Sequence, residues 1–142
     1  MYGISKENII RKDVFFKEFL EFYLYQYSVY LVDLYVPVKN EALLELKEFN
    51  INNWFRKKLL LNYTFKVNRD NIHHFLKYQG DIEKCRAWGL LTSSKKSLMF
   101  NGYEETVIDC YSERECIETK ILLESFVNNK IIIEYEEIED GG

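Results

Sequence analysis

The sequence predicts an α+β fold: one domain over residues 1–142, with helices packed mainly on one face of an antiparallel or mixed sheet. Three observations lead there. The chain has 142 residues, the usual size of one domain. It is 47% hydrophobic and 16% aromatic, enough apolar surface to offset the entropy lost on ordering. Helical and strand-like stretches follow in the order α, β, α, α, β, α, β, β, α, β, which lacks the strict βα alternation of a doubly wound parallel sheet.

Each element has its own local reason. From Asp13, apolar residues at 15, 16, 19, 20, 23 and 27 oppose Lys17, Glu18 and Glu21 at helical spacing, predicting a helix over 13–26 with Asp13 as its N-cap. Residues 29–36 are β-branched and aromatic, a strand that Pro37 ends. Asn40 is placed to cap a short helix carrying Leu43, Leu44 and Leu46. A second helical piece over 54–61 runs into a strand-like stretch at 63–67. Asp70 precedes a helix that Gly80 terminates. Residues 81–88 are mixed and Gly89 breaks the pattern, so no element is expected there.

Asn101-Gly102 is the dipeptide that best suits a tight type I′ hairpin, because both positions tolerate positive φ; it predicts two antiparallel strands within 97–111. Ser112 and Glu115 form a capping box at the start of a helix over 113–127. Ile117, Ile121, Leu122 and Phe126 are its expected inward stripe, and Asn128-Asn129 its end. Alternation from Ile133 onward predicts a last strand with an acidic solvent face.

Charge is the most informative functional signal. The net charge is −4, but residues 1–103 hold 16 Lys and Arg against 11 Asp and Glu, whereas residues 104–142 hold 3 against 12. A surface of one sign steers oppositely charged partners and repels like-charged ones. The expected binding residues are Glu104, Glu105, Asp109, Glu118, Glu134, Glu136, Glu137, Glu139 and Asp140.

Catalytic patterns are missing where they would be looked for. There is no glycine-rich phosphate loop and no G-x-S-x-G elbow. His73 and His74 are adjacent, so on a helix they point about a third of a turn apart, unlike the i, i+4 histidines of helical zinc sites; no metal and no cofactor is expected. Glu104-Glu105 and Glu136-Glu137 read as solvated charge rather than a glycosidase pair. Arg56-Lys57-Lys58 and Lys95-Lys96 are short basic clusters, and the acidic end repels phosphate, so nucleic acid is not the expected partner. Tyr23, Tyr27, Tyr30 and Tyr35 fall in periodic segments and read as core.

Three cysteines, Cys85, Cys110 and Cys116, are too few and too odd for a disulfide framework. They read as small buried side chains in a reducing cytoplasm. No stretch approaches the length of a membrane span, and the N-terminal residues carry no apolar signal region. The expected function is non-enzymatic: an immunity protein or antitoxin that neutralises a basic partner such as a nuclease toxin. A phage-encoded DNA mimic acting on a defence enzyme carries the same charge logic. From other classes come a thiol enzyme pairing Cys110 or Cys116 with His73 or His74, and a nucleic-acid module using the basic N-terminal part. An exposed terminal strand leaves room for a homodimer through edge pairing.

Overall fold

A computed structural model describes residues 1–34, 63–77, 88–94, 96–102 and 104–138. In chain order the elements are β1 (Tyr2–Ser5), a 3-10 turn (Lys6–Asn8), α1 (Lys12–Leu24), β2 (Val29–Leu34), β3 (Tyr63–Val67), α2 (Ile72–Lys77), β4 (Trp88–Thr92), β5 (Ser97–Asn101), β6 (Glu105–Ile108), α3 (Glu113–Asn128) and β7 (Glu136–Glu137). The strands make one sheet in the order β3-β2-β4-β5-β6-β1-β7. Every pairing is antiparallel. The fold is therefore the α+β arrangement expected, with an antiparallel sheet.

Register sorts the side chains into two faces, because residues paired across strands share a side of the sheet. One face carries Phe65, Leu31, Leu90, Met99, Ile108 and Tyr2, all buried. The helices cover it. Phe16 of α1 meets Trp88 of β4 edge to face at 5.2 Å, and Phe75 of α2 meets Phe65 of β3 at 5.7 Å. The other face alternates Lys66, Tyr30, Leu91, Phe100, Val107 and Glu136, all exposed or half-buried.

α1 buries Phe15, Phe16, Phe19, Leu20 and Tyr23, the stripe read from its spacing. Arg11 holds the N-cap position, with no side-chain cap bond; Asp13 stands inside the first turn and pairs with Arg11 at 3.8 Å. Asp70 is likewise no cap. Asn68 organises the turn before α2: its Oδ1 accepts from the backbone N–H groups of Asp70 and Asn71, each at 3.0 Å, and its own N–H donates to Asn71 Oδ1 at 2.8 Å. The helices expected near 41–49 and 54–61 lie outside the described residues.

Three further differences have physical causes. β4 was hidden by Gly89, which sits mid-strand opposite Val32 and Phe100; a glycine weakens a strand but does not break one held on both edges. The β5–β6 connection is longer than a two-residue turn. Asn101 pairs with Thr106 inside the ladder, Gly102 N–H donates to Glu105 O at 3.0 Å, and neither Asn101 nor Gly102 has positive φ. Last, α3 keeps Phe126 buried and Leu122 against the core as expected, but buries Thr119 and Leu123 where Ile117 and Ile121 were expected, which are 53% and 64% exposed.

The end of α3 is a Schellman turn. Ile131 N–H donates to Phe126 O at 2.8 Å, Lys130 N–H donates to Val127 O at 3.1 Å, and Lys130 takes the left-handed conformation at φ 58°. The chain then buries Ile131 and Ile132, leaves Ile133 exposed, and pairs only Glu136–Glu137 with β1. The last strand thus begins later than Ile133. It seats Ile138 over Gly3, where a Cβ would lie 2.8 Å from the Ile138 Cδ1.

Phe19 is fully buried and contacts Phe15, Tyr23 and Phe126. Phe19→Ala is expected to cost about 3–5 kcal/mol, read as a lower urea midpoint at unchanged slope. Ile121→Ala, on the exposed crest of α3, is expected to change stability by less than about 0.5 kcal/mol.

Candidate functional site

The start of α3 gathers a dense set of polar bonds. Ser112 is the N-cap, in extended conformation, and its Oγ accepts from Glu115 N–H at 3.1 Å. Glu115 completes the box one residue further back than the usual geometry: Oε2 accepts from Tyr111 N–H at 2.7 Å, and Oε1 accepts from the Tyr27 hydroxyl. Tyr111 donates its hydroxyl to Ser97 O at 2.6 Å, and the Lys96 ammonium lies 4.2 Å from the centre of its ring. The Tyr2 hydroxyl donates to Cys116 O at 3.1 Å, tying β1 to the same turn.

A disulfide joins Cys110, just after β6, to Cys116 in the first turn of α3, with Cα atoms 5.3 Å apart and six residues of separation. This corrects the expectation of free, buried thiols in those positions. Both residues are half-buried. The signal was a C-x5-C spacing that brackets a capping box. Such a box turns the chain sharply and brings its flanks together, although spacing alone does not reveal a bond.

Beside this loop, an open groove of about 660 Å³ separates the C-terminal half of α1 from the first turns of α3. Glu21, Phe22 and Tyr25 form one wall, and Ser112, Arg114, Glu115 and Glu118 the other. Arg114 Nε donates to Glu118 Oε1 at 2.9 Å. The Arg69 guanidinium lies 5.2 Å from the centre of the Tyr25 ring. Carboxylates and aromatic surface therefore meet here, though Glu118 alone of these lining residues stood among the acids singled out in the sequence.

Those acids are distributed over several places. Glu105 and Glu136 share the open face of the sheet, separated by β1. Glu137 lies on the opposite face beside Tyr2, its partner in the ladder. Glu104 and Glu134 are exposed, Asp109 is half-buried next to Tyr23 and Glu115, and Glu118 lines the groove. Glu139 and Asp140 lie outside the described residues. The His73 and His74 rings lie 4.0 Å apart on α2, tilted by 38° to each other, His73 exposed and His74 half-buried. Among the described residues, no three His, Cys, Asp or Glu side chains are placed to hold a metal ion. No helix among them is long and apolar enough to cross a membrane.

Carboxylates also mark the tyrosines around them. Burial, followed by the negative charge of Asp109 and Glu115, pushes the Tyr23 hydroxyl above its ordinary range; it donates to Leu98 O at 3.1 Å. Tyr135 is pushed up to about 12, first by burial and then by its hydrogen bond to Glu124. Tyr2 is raised by burial and by Glu137.

Comparison with known protein families, curated proteins and solved structures finds no match for this chain, so its functional reading rests on its own residues.

The raised tyrosines set an alkaline limit to stability. These proton-retaining side chains stabilise the fold fully below pH 10; above it, the unfolded chain loses protons that folded Tyr2, Tyr23 and Tyr135 keep, so stability falls as pH rises, with the Tyr135 contribution lost between about 10 and about 12. Urea denaturation between pH 8 and 11.5 should show this decline. Tyr23→Phe should cost about 1 kcal/mol at pH 8, through loss of the bond to Leu98, and should make the alkaline decline shallower.

Proposed function

We propose that this protein is a non-enzymatic inhibitor of the immunity type, which neutralises a basic partner such as a nuclease toxin by charge-complementary binding. The observation that carries the reading is the outward placement of the carboxylates in the C-terminal part. Glu104, Glu105, Glu113, Glu124, Glu134, Glu136 and Glu137 are exposed, against Arg114, Lys120 and Lys130 in the same stretch. Cationic sites that handle nucleic acid are shaped for phosphate oxygens. Carboxylates can occupy them and shut out the substrate, and the long-range field raises the encounter rate.

Apolar anchors supply the part of the affinity that charge steering does not. Ile117 and Ile121 stand one helical turn apart on the crest of α3, flanked by Glu113, Arg114 and Glu124. Phe100, 47% exposed, occupies the open face of the sheet on the strand next to Val107. An inhibitor of intracellular nucleic-acid chemistry works in the cytoplasm, which is the setting this reading assigns.

The test is co-purification with the tagged chain from its host, followed by measurement of association rate against ionic strength with the recovered partner. Charge reversal at Glu105, Glu136 and Glu137 to Lys is expected to slow association at low salt by about tenfold or more, with a much smaller effect at high salt. Ile117→Ala with Ile121→Ala is expected to speed dissociation instead. Recovery of an acidic partner, or a rate indifferent to the three reversals, would overturn the reading.

A further inference from the structure

We propose that Cys110 and Cys116 are a reversible redox couple, opened by a dithiol or by reduced glutathione and closed again by exchange with a disulfide, and not a permanent crosslink. Access comes first. Cys110, packed against the rim of the core, and Cys116, in the first turn of α3, are each half-buried, so the pair keeps partial exposure through which a thiolate can approach. Each sulfur also has a neighbour that favours it as a leaving thiolate. The Met1 nitrogen donates to Cys110 Sγ at 3.7 Å, and Cys116 completes the first turn of a 16-residue helix, where the positive end of the helix dipole is felt. Stabilising the reduced form in this way makes a disulfide easier to open.

The chemistry balances without any further reagent. One thiolate of the reductant attacks one sulfur of the pair, giving a mixed disulfide and releasing the other cysteine as a thiolate. A second thiol, of the same dithiol or of a second glutathione, then attacks the reductant sulfur of the mixed disulfide and displaces the first cysteine, leaving two protein thiols and one oxidised, two-electron product.

The fold does not depend on the bond being closed. The start of α3 has independent fastenings in Ser112 Oγ to Glu115 N–H, Glu115 to Tyr111 N–H and Tyr27, and the Tyr2 hydroxyl to Cys116 O. The core beneath is made by Phe19, Leu123 and Phe126. Opening the bond therefore loosens only the loop between the cysteines. That loop supplies Ser112, Arg114 and Glu115 to the groove wall, so its redox state sets the order of that wall. A disulfide of this kind also fits a cytoplasmic setting, where such bonds are usually transient or redox-sensing.

The experiment equilibrates oxidised wild-type protein with mixtures of reduced and oxidised glutathione, and separately with dithiothreitol, without denaturant. Acid quenching, maleimide labelling and peptide mass mapping then score Cys110 and Cys116 apart from Cys85. The expected result is joint labelling of Cys110 and Cys116 with far-UV circular dichroism unchanged. Amide exchange at residues 113–116 should accelerate by about tenfold, and exchange at Phe19 and Phe126 should stay as it was. The C110S/C116S double variant should show the same fast exchange in the absence of reductant. The proposal is overturned if labelling of the pair requires guanidinium, if reduction unfolds the protein, or if exchange at 113–116 is the same in both redox states.

Discussion

The stack of Phe15 and Phe19 against Phe126 fixes the two long helices to each other, and the remainder of the molecule is arranged around that seam. Phe19 and Phe126 meet edge to face at 5.4 Å, and Phe15 approaches Phe126 at 5.8 Å. Because the seam lies over one face of the sheet, that face can be apolar from β3 to β1 while the other meets water. Phe16 carries the seam down to Trp88, and the Tyr23 hydroxyl bonds the β5 backbone at Leu98. Aromatic pairs of this geometry contribute beyond their buried area, and they fix helix orientation in a way that flexible aliphatic side chains do not. The groove beside Glu115 lies between the C-terminal half of α1 and the first turns of α3.

Much of this was legible in the chain and some was not, for reasons particular residues make plain. The α1 stripe was readable because five large apolar side chains repeat at helical spacing with charges opposite them. The capping box was readable because Ser112 and Glu115 do their work within four residues. α3's facing was misread because isoleucines were weighted above threonine. The helix turns Thr119 inward against α1 and leaves Ile117 and Ile121 on its crest, a choice made by tertiary packing that hydrophobicity alone does not contain. Gly89 hid β4 in the same manner, since its tolerance comes from ladder pairing on both edges, to the following strand β5 and to β2, which is remote in sequence.

Asn101 shows how local signals yield to buried polar chemistry. The dipeptide suits a tight turn, yet Asn101 is 8% exposed and lies in the ladder, bonded to the Thr106 hydroxyl at 2.9 Å. With its amide turned so that nitrogen donates to Thr106, its oxygen accepts from Trp88 Nε1 at 3.0 Å and from Lys6 Nζ at 3.2 Å. A buried indole N–H needs a partner, and Asn101 supplies one; that need outweighs the turn preference. The candidate site divides along the same line. Which residues are acidic was legible, and so was their concentration after residue 103. Their division between the open sheet face, the β7 edge and the α1–α3 groove follows from strand register, and strand register depends on partners far along the chain.

That division has a consequence for how a charged protein of this kind binds. Carboxylates spread over several faces cannot all contact one partner, but they can all contribute to the field that draws it in, since the screening length at physiological ionic strength, about 8 Å, spans the gap between neighbouring strands. Contact must then be made by fewer residues on one face. Glu105, Phe100 and Glu136 share the open face of the sheet, whereas Glu113, Ile117, Ile121 and Glu124 share the crest of α3. Each group couples an apolar side chain to flanking acids, the combination that desolvates well at its centre and stays wet at its rim. The α3 group is joined at its base to Cys116, so the order of its first turn is linked to the state of the sulfur pair. The sheet group rests on a ladder that meets the pair only at its edge, through Met1 and the Tyr2 hydroxyl. A partner seated on the helix would therefore feel the redox state of the protein more directly than one seated on the sheet.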